Sequence, residues 1–138
     1  MRLAGRRIVE KSAVMNAIAI AVGAAIGANL RYSLSVWAAQ RWGASFPYGT
    51  LIVNVIGSFA IGFVLVLATT RLSLSDTARL LIVTGLLGGF TTFSSLSFET
   101  YTLVTSGSWM AAGLYVLSSF GLGIAGVFLG AGVARVLP

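Results

Sequence analysis

The sequence has no cysteine and no histidine. Disulfides, thiolate chemistry and imidazole metal sites are therefore excluded, together with the commonest general base. Carboxylates are nearly as scarce: Glu10, Asp76 and Glu99 are the whole set, too scattered for a paired-carboxylate site. Charged residues make up 9% of the chain, where soluble domains carry roughly a quarter. The chain is not expected to be an enzyme.

What fills the sequence instead is apolar. Of 138 residues 57% are hydrophobic, and the mean hydropathy is +0.97, which defines a membrane protein. Basic residues outnumber acidic ones for a net charge of +6, but they form no single patch, so no nucleic acid partner is expected. Arg2, Arg6, Arg7 and Lys11 precede the first apolar segment, Arg41, Arg71 and Arg79 fall in connections, and Arg135 lies at the end. Topology and lipid headgroup anchoring account for that distribution.

Four apolar segments are predicted to be spanning helices, at 16–39, 47–70, 77–105 and 109–136, each meeting or exceeding the roughly 20 residues that cross a bilayer. The first is too long for the apolar part of a signal peptide and has no isolated small-residue cleavage site, so it reads as a retained helix. Pro47 suits a first helical turn, and Ser75 and Ser108 suit N-caps. Trp37, Trp42, Tyr48 and Trp109 fall near segment ends as an aromatic belt. The pairs Gly23/Gly27, Gly85/Gly89 and Gly126/Gly130 have the spacing that lets helices approach closely in lipid. Two units result: a basic extension over 1–14, disordered or not native, and a four-helix channel-like domain over 15–138.

The third segment departs from an aliphatic pattern in GLLGGFTTFSSLSFE, residues 85–99. Paired glycines followed by Thr91 and Thr92 make a poor helix, which predicts a break between Gly88 and Thr92. A break at membrane depth frees amides and carbonyls that lipid cannot satisfy, so it must be buried in protein or line a polar cavity. Span two aligns Thr50, Asn54, Ser58 and Gly62 on one face at i, i+4 spacing, and span four aligns Tyr115, Ser119 and Gly123. Ser118 is placed to bond back to its own helix. Asn54 is read either as part of a polar track or as a helix–helix hydrogen bond. With Thr91, Thr92, Ser94, Ser95 and Ser97 around Phe93, three spans carry neutral hydrogen-bonding groups. Amide and hydroxyl donors and the positive edges of phenylalanine favour a small, hard anion. Arg31 is assigned first to headgroup or carbonyl anchoring and second to keeping a vestibule positive. Glu99 is expected to pair at a helix or subunit interface.

At these residues the sequence resembles the fluoride channel family, Fluc or CrcB. The resemblance rests on GAAIGANLRY, YGTLIVNVIGSFAIG, GLLGGFTTFSSLSFE and the Tyr115/Ser119 spacing. It implies an antiparallel, dual-topology homodimer in the plasma membrane that exports fluoride down its gradient. It also implies a sodium ion at the dimer axis, held by the backbone carbonyls of Gly88 and Thr91 from both subunits. Asn54 would then be a pore amide, Phe93 a pore phenylalanine, Ser94 a pore hydroxyl, and Tyr115 and Ser119 part of the anion track with Thr50 and Ser58. Arg31 and Glu99 match the family's span-one arginine and span-three glutamate. The family commonly carries a second phenylalanine where this chain has Leu96, so an aromatic box would be incomplete there.

With the N-terminus inside, seven basic residues (Arg2, Arg6, Arg7, Lys11, Arg71, Arg79, Arg135) oppose Arg31 and Arg41, a bias towards one orientation. A start at Met15 reduces the count to three against two, near the balance dual topology needs. A heterodimer with an oppositely oriented paralogue is the other resolution. The competing function is a four-span small multidrug-resistance-type transporter, which would be expected to have a glutamate embedded in span one. We expect Leu96→Phe to retain conduction in a liposome flux assay; abolished flux would exclude a pore-facing position that tolerates both residues.

Overall fold

The computed structural model describes residues 2–71 and 73–137, with side chains from residue 11. It is all helical in the described residues. Helix α1 spans Arg2–Trp42 and α2 spans Tyr48–Thr70. The third membrane segment is composite: α3 (Asp76–Arg79), a π-helical stretch (Leu80–Leu87), α4 (Gly88–Phe90), then α5 (Phe93–Thr105) after a break. Helix α6 spans Trp109–Val136. The stretches Lys11–Trp42, Tyr48–Thr70, Asp76–Thr105 and Trp109–Val136 are long and apolar enough to cross a membrane. Few residues in the most apolar part of each are fully buried within the chain, and large apolar side chains such as Ile18, Phe98 and Phe128 are exposed, which suits contact with lipid.

Local chemistry sets the ends. Ser75 caps α3 by accepting the Ala78 amide at 3.2 Å. Pro47 sits at the cap position of α2, one residue before the helix, where its missing amide leaves no bond unmade. Ser108 occupies the cap position of α6 without a side-chain cap bond. The turn between α5 and α6 needs a left-handed residue, supplied by Gly107 (φ 81°). The Gly107 and Ser108 amides then bond Val104 O and Leu103 O, which consumes two terminal carbonyls of α5. After α1, Phe46 in the connection meets the Tyr115 ring edge-on at 5.5 Å, tying the loop to the interior.

The helices pair through glycine. Helix α1 packs against the π-helical stretch and α4, while α2 packs along α6. A Cβ on Gly23 or Gly27 would collide with Leu81 O or Leu86 O, and one on Gly89 would lie 2.6 Å from Ala24 O. Gly130 meets Phe59 O of α2 in the same way, and Gly62 meets Val127 O of α6. The Thr77 hydroxyl donates to Asn16 Oδ1 at 2.8 Å and pins the start of the first pair.

The third segment changes partner at its break: before it the chain lies on α1, after it α5 lies on α6. The glycines are not the breaking residues. Gly88 is helical at φ −65°, ψ −37°, and Gly89 stays within α4 and packs on α1. Their small size serves close approach, and the threonines that follow leave the helix.

Gly27→Val is expected to lower stability by roughly 2–3 kcal/mol through backbone overlap. Gly113→Ala, which meets nothing within 4 Å, should leave it unchanged. Thermal unfolding in detergent distinguishes them, and equal melting temperatures would refute the packing role.

Candidate functional site

The break is made by two extended residues, Thr91 (φ −80°, ψ 156°) and Thr92 (φ −152°, ψ 119°). Asn54 of α2 holds it open. Its Oδ1 accepts the Thr92 amide at 2.8 Å and its Nδ2 donates to Thr92 O at 3.1 Å, so one side chain satisfies both backbone groups of one residue. One turn along α2, Gly57 leaves room for the Thr91 methyl; a Cβ there would overlap Thr91 Cγ2. The Thr92 hydroxyl accepts the Ser95 amide at 3.2 Å and caps α5.

These bonds redirect the helical ladder. The Thr92 amide would ordinarily donate to Gly88 O, and the Ser95 amide to Thr91 O. The first goes to Asn54 and the second to Thr92 Oγ1. Gly88 O and Thr91 O thereby lose their usual donors. By contrast Leu87 O receives both the Thr91 amide and the Thr91 hydroxyl, each at 3.0 Å.

Glu99, nearly two turns into α5, forms a second node. Its Oε1 accepts the Thr50 hydroxyl of α2 at 2.8 Å and its Oε2 accepts the Tyr115 hydroxyl of α6 at 2.5 Å. The carboxylate thus ties three helices together. Tyr115 is fully buried and packs with Leu96, Leu103 and Ala112.

Between the break and α6 lies a cavity of about 430 Å³. Asn54, Ser58, Thr91, Phe93, Leu96 and Ser119 all line it, as do Gly88 and Phe120. Among the described residues, none that lines it is charged. Among the described residues Ser119 Oγ is the one buried side-chain polar atom with no hydrogen-bond partner. The Phe93 ring is 69% exposed and meets Phe120 of α6 edge-on, with centroids 6.4 Å apart.

Not every candidate joins that cavity. Thr50 and Tyr115 are outside its lining and direct their hydroxyls to Glu99. The Ser94 hydroxyl pairs with Thr92 Oγ1 at 3.1 Å and is likewise outside the lining. Arg31 is half-buried on α1 and does not line it. Ser118 bonds Tyr115 O within its own helix. Three contributors were missed in the sequence: the capping role of Thr92, the relief supplied by Gly57, and Phe120. The T-x-x-S run at 92–95 is a helix-start signal that points to the first. Nothing in the spacing of span four separates Phe120 from a lipid-facing ring.

Comparison with known proteins matches residues 18–131 to the family described as CrcB-like protein, Camphor Resistance (CrcB). A protein of Roseiflexus sp. (strain RS-1), named Fluoride-specific ion channel FluC, is 98% identical over 124 residues, 90% of this chain and 100% of that protein. A protein of the same name from Chloroflexus aurantiacus is 52% identical over 120 residues, 87% of this chain and 95% of its own length. One from Rhizobium etli is 45% identical over 124 residues, covering 90% and 99%.

Asn54→Ala strips the Thr92 amide and carbonyl of partners at membrane depth and should cost roughly 2–4 kcal/mol. Ser58→Ala, on the same face of α2 but bonded to no other described residue, should cost less than about 0.5 kcal/mol. Denaturation of both variants in detergent checks this, and comparable losses would contradict the clasp.

Proposed function

The chain belongs to the CrcB-like family, and from that premise we propose that it is a fluoride-selective channel, multi-pass in a bacterial inner membrane, that lets fluoride leave the cytoplasm down its gradient. The observation that carries the reading is the uncharged cavity beside the break, where a buried, unpartnered Ser119 hydroxyl and the Phe93 and Phe120 rings meet.

The chemistry follows from what a small anion loses on leaving water. Dehydration is offset only by donors already in position, because a low-dielectric wall cannot supply them. The Ser119 hydroxyl donates along the track, and ring edges present the positive side of their quadrupole. The one carboxylate of α5, Glu99, has both oxygens occupied by Thr50 and Tyr115 and is outside the cavity lining. A free carboxylate in the lining would repel an anion and invite a cation. Hydrogen fluoride enters cells as a neutral acid and dissociates inside, so a passive pathway for the anion is sufficient for export.

The working unit we propose is an antiparallel, dual-topology dimer, homodimeric or paired with a paralogue. Gly88 is exposed in the isolated chain, and its carbonyl has lost its helical donor to the Asn54 clasp. Lipid cannot satisfy such a group; a second copy related by a two-fold axis can cover it. A sodium ion at the same two-fold axis belongs to the proposal. Among the described residues no group of three or more His, Cys, Asp or Glu side chains could hold a metal, and the donors would be the freed oxygens of Gly88 and Thr91, hard ligands suited to a hard cation. There the ion would neutralise carbonyl dipoles at the break. Near-balance of basic residues for dual insertion is met by residues 15–138, and Arg31 is assigned to the membrane boundary. The spanning part of α1, Lys11–Trp42, has no carboxylate, which disfavours the drug-transporter alternative.

Reconstituted into liposomes loaded with fluoride and chloride, the protein should release fluoride and retain chloride. Absence of fluoride efflux from well-folded protein would overturn the assignment, and proton-coupled movement of a cationic drug would replace it.

A further inference from the structure

Phe93 is a large apolar ring left mostly uncovered by its own chain, and its aromatic neighbour comes from another helix. The Phe93 and Phe120 planes are inclined at 70° with centroids 6.4 Å apart, within the range of edge-to-face pairs. Leu96, three residues after Phe93 and on the same face of α5, lines the same cavity. It presents no ring, and it is 6% exposed because it also packs into the interior beside Tyr115. On α6, Ser119 and Phe120 are consecutive and about 100° apart around the axis. The serine is turned inward and buried while the phenylalanine is half-exposed, yet both reach the cavity.

We propose that Phe120 is a specificity-determining residue of this chain: it supplies the second aromatic wall of the anion path, which Leu96 cannot, and it fixes the Phe93 ring that faces it. The proposal rests on the anion-channel reading above and deepens it.

Two independent observations converge on these atoms. A ring pair in edge-to-face contact holds both planes in defined orientations, whereas a lone exposed ring turns freely between rotamers. Beside it, Ser119 Oγ is buried with no hydrogen-bond partner among the described residues, and a buried hydroxyl retains a donor that must be used. A hydroxyl donor flanked by ring edges, in a lining without a charged residue, suits a compact monovalent anion. Chloride has a more diffuse charge and is less dependent on such donors, so losing one ring wall affects fluoride more. The bland alternative, that Phe120 is only a lipid-facing aromatic, predicts that leucine serves there equally well.

The test is a set of liposome efflux measurements on the full chain, reading fluoride and chloride separately for wild type, Phe120→Leu, Phe120→Tyr and the double variant Phe120→Leu/Leu96→Phe. Removing one aromatic contact of this kind should slow fluoride efflux roughly three- to tenfold, with chloride leak unchanged and the same elution volume in detergent. Phe120→Tyr keeps the ring and should stay near wild type. The double variant returns a ring to the same cavity from α5 and should recover most of the loss. Wild-type fluoride efflux from Phe120→Leu, or a double variant no faster than Phe120→Leu, would overturn the proposal. A wild-type protein without fluoride efflux would overturn the channel reading and this assignment with it.

Discussion

The structure depends on one side chain satisfying the backbone of one residue. Asn54 accepts the amide of Thr92 and donates to its carbonyl, which lets the third membrane segment leave helical geometry where water is absent. An unmet backbone group in hydrocarbon costs several kcal/mol, so without this pair the extended conformation of Thr91 and Thr92 would be the less stable state. The clasp has a second effect. By taking the Thr92 amide it releases Gly88 O from the helical ladder, while the Thr92 cap on Ser95 does the same for Thr91 O. Local satisfaction at one residue thus frees two nearby acceptors from their usual helical donors.

Everything around the break adapts to it. Glycine contacts hold the part before it against α1 and hold α2 against α6. The part after it is held to α2 and α6 by Glu99, whose two oxygens take hydroxyls from different helices. Because the third segment changes neighbours at the break, a wedge remains between it, α2 and α6, and that wedge is the cavity. The polar residues of spans two and four accordingly divide into two sets. Thr50 and Tyr115 serve the carboxylate, whereas Ser58 and Ser119 face the cavity, with Asn54 at the boundary between them.

Much of this was legible in the residues. Segment length and apolarity marked four spans, and the four apolar stretches agree with them closely. The i, i+4 faces of spans two and four, the break before Phe93 and the close-packing glycines were also readable from spacing. Within the 88–92 stretch expected to break, the paired glycines remain helical, and Thr91 and Thr92 depart. Both residue types weaken a helix, and only the tertiary contact between Asn54 and Thr92 selects the departure point. Asn54 had two readings, a track residue and a hydrogen bond between segments. It is bonded across segments and also borders the cavity.

The sequence by itself determined that this is an all-α membrane protein with a helix break in its third span and uncharged polar faces directed inward, because hydropathy, periodicity and backbone propensity are local properties. Only the tertiary structure decided which hydroxyls are already spent and which remain available. Thr50, Tyr115 and Ser119 look alike in sequence, each a hydroxyl on the polar face of a spanning helix. Two of them bond Glu99, and the third has no hydrogen-bond partner among the described residues. That difference arises from where α5 swings after the break, which no spacing within a single helix encodes.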